Sequence, residues 1–256
     1  ALGIIRVAEN NMGRAIRAVT SRRGLDPRRF TLLSFGGAGG LHACALADSL
    51  EIPRVLVPPY CGVLSALGMV VAPPVSDASR TVVHLGDQLD DARIIAEYGS
   101  LSGQTMDVIG YTNSASVEAW ADVRFRGQSH ELKIRIDRPS REHITQRFLE
   151  AYAAQYGSVP ADRPIEIVTL RVRRFGKAPQ IALPSSPPGL PFANRQTRAV
   201  DEDARAAQVP VISRNDLTSS ATMGPLLIVD AEATTFVPAT WSATLTSYVS
   251  MLVERR

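Results

Sequence analysis

Apolar and polar positions divide the chain into blocks of different period. Ile5, Ala8, Met12, Ala15 and Val19 recur at three- and four-residue spacing, which predicts an amphipathic helix at the start. Gly24 stops it and Asp26-Pro27 turns the chain. Residues 31–35 (TLLSF) suit a short buried strand. After the glycine run at 36–40, the alanine-rich stretch Leu41–Leu50 reads as a helix. Arg54–Val57 (RVLV) reads as a second strand, closed by Pro58-Pro59. Strands alternating with helices predict an α/β layer with a largely parallel sheet. A short helix over Val63–Val71 ends at Pro73-Pro74.

The period then changes. Val82–Tyr98 reads as an amphipathic helix. Val117–Phe125 and His130–Ile136 alternate in type and predict two strands joined by the turn Arg126–Ser129. Ser140–Tyr156 carries Ile144, Phe148, Ala151 and Tyr152 on one helical face, and Ile165–Arg173 is a further strand. This β-β-α-β order predicts an antiparallel α+β domain. Residues 178–194 hold five prolines and two serines and suit a linker. Residues 208–253 break into short β segments (VPVI, PLLIV, TTFVP, YVSMLVE), with a turn at Gly224-Pro225. The expected organisation is therefore α/β over 1–80, α+β over 81–178, a Pro-rich linker over 179–207 and a β-rich segment over 208–256.

Composition narrows the function classes. With 256 residues, 45% hydrophobic and 21% charged, the chain is ordinary globular protein and needs no disulfide or metal staples. No run of about 18 uncharged apolar residues predicts a membrane helix. Charges interrupt the apolar start, so no signal peptide is expected there. Cys44 and Cys61 are too few for a disulfide framework or zinc ribbon. The net charge of +3 is small, and the arginines are scattered rather than clustered with aromatics, which disfavours a nucleic-acid groove.

The candidate chemistry centres on Gly36, Gly37, Ala38, Gly39 and Gly40, between a predicted strand and a predicted helix. Glycine allows positive φ and close approach of backbone to a ligand. The helix behind it offers unpaired N–H groups to phosphate. The run matches neither G-x-G-x-x-G nor the P-loop, so a tight packing turn is the plain alternative. His42 is expected to pack or cap. His130-Glu131 and Glu142-His143 are sequence neighbours; on a strand such neighbours point to opposite faces, and no metal site is expected. Nothing in the sequence activates Cys61 as a nucleophile, and Ser65 lacks the G-x-S-x-G elbow. Asp90-Asp91 reads as a solvated helix face. No catalytic residue is assigned.

Several blocks in order carry a family resemblance. They are Asn10-Asn11-Met12 with Ala15-Ile16-Arg17, Gly24 to Arg28, Phe35 to Gly39 with Leu41-His42-Ala43, and Val57-Pro58-Pro59 leading to Gly62–Gly68. Arg126–Leu132, Tyr156-Gly157, Ile165–Val168, Gly224-Pro225 and Val237-Pro238 with Trp241 continue the match. The chain resembles the hydantoinase A and 5-oxoprolinase family, which couples ATP cleavage to chemistry on a cyclic amide or a ketone.

The resemblance implies the end of an actin/Hsp70-like ATPase lobe, followed by an α+β domain and a C-terminal β-rich segment. It further implies that Gly36, Gly37, Ala38, Gly39 and Gly40 face the adenosine and nearest phosphate of ATP. The D-x-G-G-T phosphate motifs of the family are absent, so most ligands of ATP and its magnesium are expected outside this chain. Gly40 stands where the family usually has proline, which is expected to loosen the loop. The resemblance makes the chain a C-terminal portion of a cytoplasmic hydantoinase A-like subunit. Its implied partners are the rest of that subunit, a hydantoinase B-like subunit in an oligomer, and a small cyclic amide or carbonyl substrate. Neither nucleic acid nor membrane is expected as a partner. A subunit-interaction module without its own ligand is the alternative. Arg124, Gln128 and Glu131 are left between substrate contact and a plain hairpin.

Overall fold

The computed structural model describes residues 2–82, 90–110, 112–160, 163–182, 195–200 and 206–256. The chain forms two compact units. One combines residues 1–70 with 181–256, and the other is residues 71–180.

In the first unit, helix α1 (Leu2–Arg22) ends where Gly24 takes φ +64°. Strand β1 (Leu32–Leu33), helix α2 (Gly39–Ser49), strand β2 (Arg54–Val57) and helix α3 (Leu64–Val71) follow. The order α-β-α-β matches the pattern read from the sequence. The sheet differs from the expectation. β1 and β2 are parallel, Leu32 opposite Val55, but their neighbours come from the far end of the chain. These are β9 (Thr222–Met223), β12 (Trp241–Leu245) and β13 (Met251–Arg255). The order is β1-β2-β13-β12-β9, and every pairing beyond β1–β2 is antiparallel. The strand that lies against β2 is half of the β12–β13 hairpin, and a hairpin imposes antiparallel pairing.

A second sheet in this unit joins β7 (Arg195–Val200), β8 (Ala206–Ser213), β10 (Leu226–Val229) and β11 (Thr234–Val237) in the order β11-β10-β8-β7. β7 falls inside the span expected as linker; residues 183–194 and 201–205 of that span lie outside the described residues. One apolar core serves α2 and both sheets. It includes Ala43 and Ala47 of α2, Val55 and Val57 of β2, Ile228 of β10, and Trp241 and Val253. Trp241 is fully buried, and its Nε1–H donates to Asp48 Oδ2 at 3.1 Å.

The second unit is an antiparallel sheet of β3 (Val75–Thr81), β6 (Ile165–Gly176), β4 (Ser114–Phe125) and β5 (Leu132–Ile136), in that order. Helices α4 (Asp91–Ile109) and α5 (Arg141–Tyr156) cover its apolar face through Ile94, Leu101, Ile144 and Phe148. The buried Arg174 pins α4 to β6, donating to Ser102 Oγ (2.7 Å) and Thr105 Oγ1 (3.2 Å). The opposite face alternates charges, with Asp77 opposite Arg173 and Arg173 opposite Glu118. The helix expected at Val82–Tyr98 starts instead at Asp91, and residues 83–89 lie outside the described residues. Asp90 is its N-cap, accepting from Arg93 N at 2.8 Å, and Asp91 accepts from Arg141 N at 2.7 Å. Both residues of the acidic pair are exposed, as the solvated reading expects, and each also caps a helix.

Candidate functional site

The glycine turn lies at the carboxyl end of β1, where open α/β sheets bind ligands, and it opens α2. Each of its residues is held differently. Gly36 takes φ +90°, and its N–H donates to Cys61 O at 2.7 Å. A Cβ there would meet nothing within 4 Å, so glycine serves backbone conformation, and the space above it is open. Gly37 O accepts from Thr234 N at 3.2 Å. Ala38 is the N-cap of α2 without any side-chain capping bond, and both Gly37 and Ala38 are exposed. Gly39 N–H donates back to Gly36 O.

Gly40 is buried inside α2, and a Cβ there would come within 2.4 Å of Thr235 Oγ1 and 2.7 Å of Thr234 O. Gly40 therefore does not loosen the loop, as the sequence had suggested. It lets β11 pack directly against α2. Gly62 plays the same part on the neighbouring loop, where a Cβ would sit 2.3 Å from Glu232 O. The turn between β10 and β11, residues 230–233, is thus wedged between the two glycine loops. Sequence reasoning missed this wedge. The glycines at 40 and 62 were its signal, but the residues that exclude a Cβ lie about 170–200 positions away.

A buried ion pair locks the same region. Arg214 Nε donates to Asp230 Oδ2 at 2.7 Å, and its two terminal nitrogens donate to Val57 O, Pro58 O and Val249 O at 3.1–3.2 Å. Arg214 is 1% exposed. It ties together the loop after β2, the β10–β11 turn and the β12–β13 turn, where Val249 sits at φ +57°. Cys61 lies beside it, with Sγ 3.8 Å from Arg214 Nη2. Burial pushes the Cys61 thiol up, against the opposing pull of Arg214, so it is kept as an inert thiol.

The other singled-out residues are dispersed. His42, near the start of α2, pairs through Nδ1 with Glu9 Oε1 of α1 at 3.0 Å. Ser65 is exposed on α3. In the second unit, His130 Nε2 lies 3.1 Å from Tyr156 OH, while Glu131 pairs with Arg124. Glu142 sits in the first turn of α5, and His143 N donates to the capping Ser140 Oγ. Gln128 Oε1 accepts from Phe125 N, its Nε2 donates to Tyr152 OH, and Arg124 also pairs with Glu166. Arg124, Gln128 and Glu131 therefore form a hairpin clasp. No cluster of three metal-ligating side chains occurs among the described residues. No helix among them is long and apolar enough to cross a membrane.

Comparison with known proteins places this architecture. Residues 1–78 match the hydantoinase/oxoprolinase family. The uncharacterised protein MJ0964 of Methanocaldococcus jannaschii is 30% identical over all of this chain, which covers 38% of that protein. Acetone carboxylase, solved in a study of ATP-dependent acetone carboxylation, superposes with a TM-score of 0.72 at 18% identity, over 99% of this chain and 39% of its own. The ATP-dependent caprolactamase of Pseudomonas jessenii superposes with a TM-score of 0.65 at 23% identity, over 99% and 39%. At these identities the two structures show a shared mixed helix-and-sheet fold. Over residues 1–78 the chain belongs to the hydantoinase/oxoprolinase family. It spans about two fifths of the length of these relatives.

Proposed function

We propose that the chain forms one wall of the nucleotide site in an ATP-dependent enzyme that opens a cyclic amide of the hydantoin or 5-oxoproline kind. The observation that carries this reading is the turn Gly36–Gly40. Open space lies above Gly36, the backbone of Gly37 and Ala38 is exposed, and α2 starts directly behind. Gly37 and Ala38 would hold the adenosine side and nearest phosphate through backbone N–H groups and the positive end of α2, while Gly36 and Gly39, whose N–H groups donate to Cys61 O and Gly36 O, would shape the turn against the ligand. Gly40 contributes by letting the turn pack. The lobe is read as actin/Hsp70-like, with magnesium and the outer phosphates held by residues outside this chain. Bound ATP would supply a phosphoryl group that turns an amide or carbonyl oxygen into a good leaving group. That the chain spans about two fifths of its relatives' length supports a role inside a larger enzyme.

The test is hydrogen–deuterium exchange in the longest natural polypeptide that carries this chain. A non-hydrolysable ATP analogue should protect the backbone from Phe35 to Leu41. Unchanged exchange there, with the analogue bound, overturns the role given to the turn.

A second reading is a subunit-interaction module, favoured by apolar residues left uncovered on two helices. Ile4 of α1 is about three-quarters exposed, and Met69, Val70 and Val71 at the end of α3 are exposed together; grouped apolar side chains of this kind are candidates for partner contact. Co-purification with a hydantoinase B-like subunit, abolished by Met69→Glu and unaffected by nucleotide, would favour it.

A further inference from the structure

Positive charge is concentrated where α1 runs into β1. Residues 14–29 hold Arg14, Arg17, Arg22, Arg23, Arg28 and Arg29 against a single acid, Asp26, for a net charge of +5. The whole chain carries +3, so all its other residues together are −2. All six arginines are exposed. The fold groups them. Arg22 and Arg23 stand three and four residues after the exposed Val19, on the same face of α1. Leu25 N–H donates to Thr20 O at 2.9 Å, which folds the following turn back onto the end of the helix. Arg17 Nη2 donates to Ser49 O at 2.7 Å, and Arg28 Nη1 lies 3.8 Å from Glu51 Oε2, so helix and turn both reach the short loop after α2. Arg28 is further held by Asp26. The side chains of Arg22, Arg23 and Arg29 make no hydrogen bond or ion pair among the described residues. Val19, Leu25 and Phe30, interleaved with them, are each about half exposed.

We propose that this patch docks an acidic segment of a separate protein chain, one that carries apolar side chains among its carboxylates. The guanidinium groups of Arg22, Arg23 and Arg29 take carboxylates, which suit their forked donors. Val19, Leu25 and Phe30 take the apolar anchors. A nucleic acid is the poorer match. Its backbone is uniformly anionic and offers no apolar counterpart, whereas Asp26 and Glu51 stand within the patch. A charge-rich surface with few apolar side chains suits a partner that comes and goes, because obligate contacts are more apolar. Fixed charges also speed the encounter of separate molecules. Residues 22–30 precede β1 and the glycine turn follows it, so the two lie at opposite ends of that strand. The inference rests on neither the nucleotide reading nor the apolar end of α3.

The experiment uses the longest natural polypeptide that carries this chain, so that a patch already covered within that polypeptide reads as no binding. Fluorescence anisotropy follows a labelled synthetic peptide in which leucines interrupt a run of glutamates. Plain polyglutamate of equal net charge, single-stranded DNA and anionic phospholipid vesicles are compared with it. The leucine-containing peptide should bind more tightly than all three, and more weakly as salt is raised. Arg22→Glu, Arg23→Glu and Arg29→Glu should each weaken it about tenfold, since reversal removes an attraction and adds a repulsion. Arg138→Glu, at an exposed position of the second unit, should leave binding unchanged. Val19→Gln and Leu25→Gln should each weaken the leucine-containing peptide about fivefold and leave polyglutamate unaffected. An unchanged melting temperature of Val19→Gln shows that the fold survives. Absence of peptide binding overturns the proposal. So does equal binding of polyglutamate, tighter binding of DNA or vesicles, or an equal loss in Arg138→Glu.

Discussion

Arg214 is the side chain on which the arrangement of the site loops most depends. Its guanidinium is buried with Asp230, and its remaining donors reach three carbonyls from two other loops. A buried ion pair is weak evidence of net stabilisation, but breaking one leaves a stranded charge. Arg214→Met should therefore lower stability by about 3–5 kcal/mol, measured by urea denaturation. Arg214→Met with Asp230→Asn should recover part of that loss, because the stranded carboxylate is gone. Recovery stays incomplete, since Val57, Pro58 and Val249 still lack their donor. Equal losses in the single and double variants would show that the carbonyl contacts, not the ion pair, carry the effect. In the sequence, Arg214 is one of many scattered arginines. Nothing local distinguishes it from Arg171 or Arg173, which lie on the partly exposed face of the other unit's sheet.

Helices show the same glycine doing opposite things. Gly40 in α2 faces β11, and a Cβ would collide with Thr235 and the Thr234 carbonyl. Gly68 in α3 faces open space, where a Cβ meets nothing within 4 Å. Gly68→Ala should stabilise by about 0.5–1 kcal/mol, the helix-propensity gain alone. Gly40→Ala should destabilise by about 1–3 kcal/mol through overpacking, despite the same gain in propensity. Thermal melts of both variants check the sign, and a stabilised Gly40→Ala would refute the tight α2–β11 packing. Element positions were largely legible. α2, β2, α3 and α5 lie within about two residues of where periodicity and caps put them, for example Ser140 opening α5 and Gly157 closing it at φ +81°. β3 was missed because VSDASRT is a polar edge strand without alternation. The second half of α4 was missed because Gly99, Ser100, Ser102 and Gly103 interrupt the apolar period.

At the scale of the whole molecule, the second unit is an insertion whose two ends meet. Val75 lies opposite Phe175, and Gly176 N–H donates to Pro74 O at 2.7 Å. Such a unit leaves and re-enters its host at one place, which is how inserted domains are tolerated. It has its own core between one sheet face and two helices. Excised residues 71–180 should therefore fold alone and unfold in one cooperative transition, checked by circular dichroism with near- and far-ultraviolet signals coinciding. Non-coincident transitions would show that the unit depends on the rest of the chain.

The sequence by itself determined most of the local elements, the Gly36–Gly40 turn and the family, because period, caps and ordered motif blocks are properties of neighbouring residues. Only the tertiary structure decided the sheet order, the wedge of residues 230–233 against Gly40 and Gly62, the Arg214 tie and the Glu9–His42 pair. Each of these joins residues separated by at least about 16 positions, and most by more than 30. A pattern along the chain reports which face of an element is apolar. It carries no information on which distant element covers that face, because burial rewards apolar area from any partner alike.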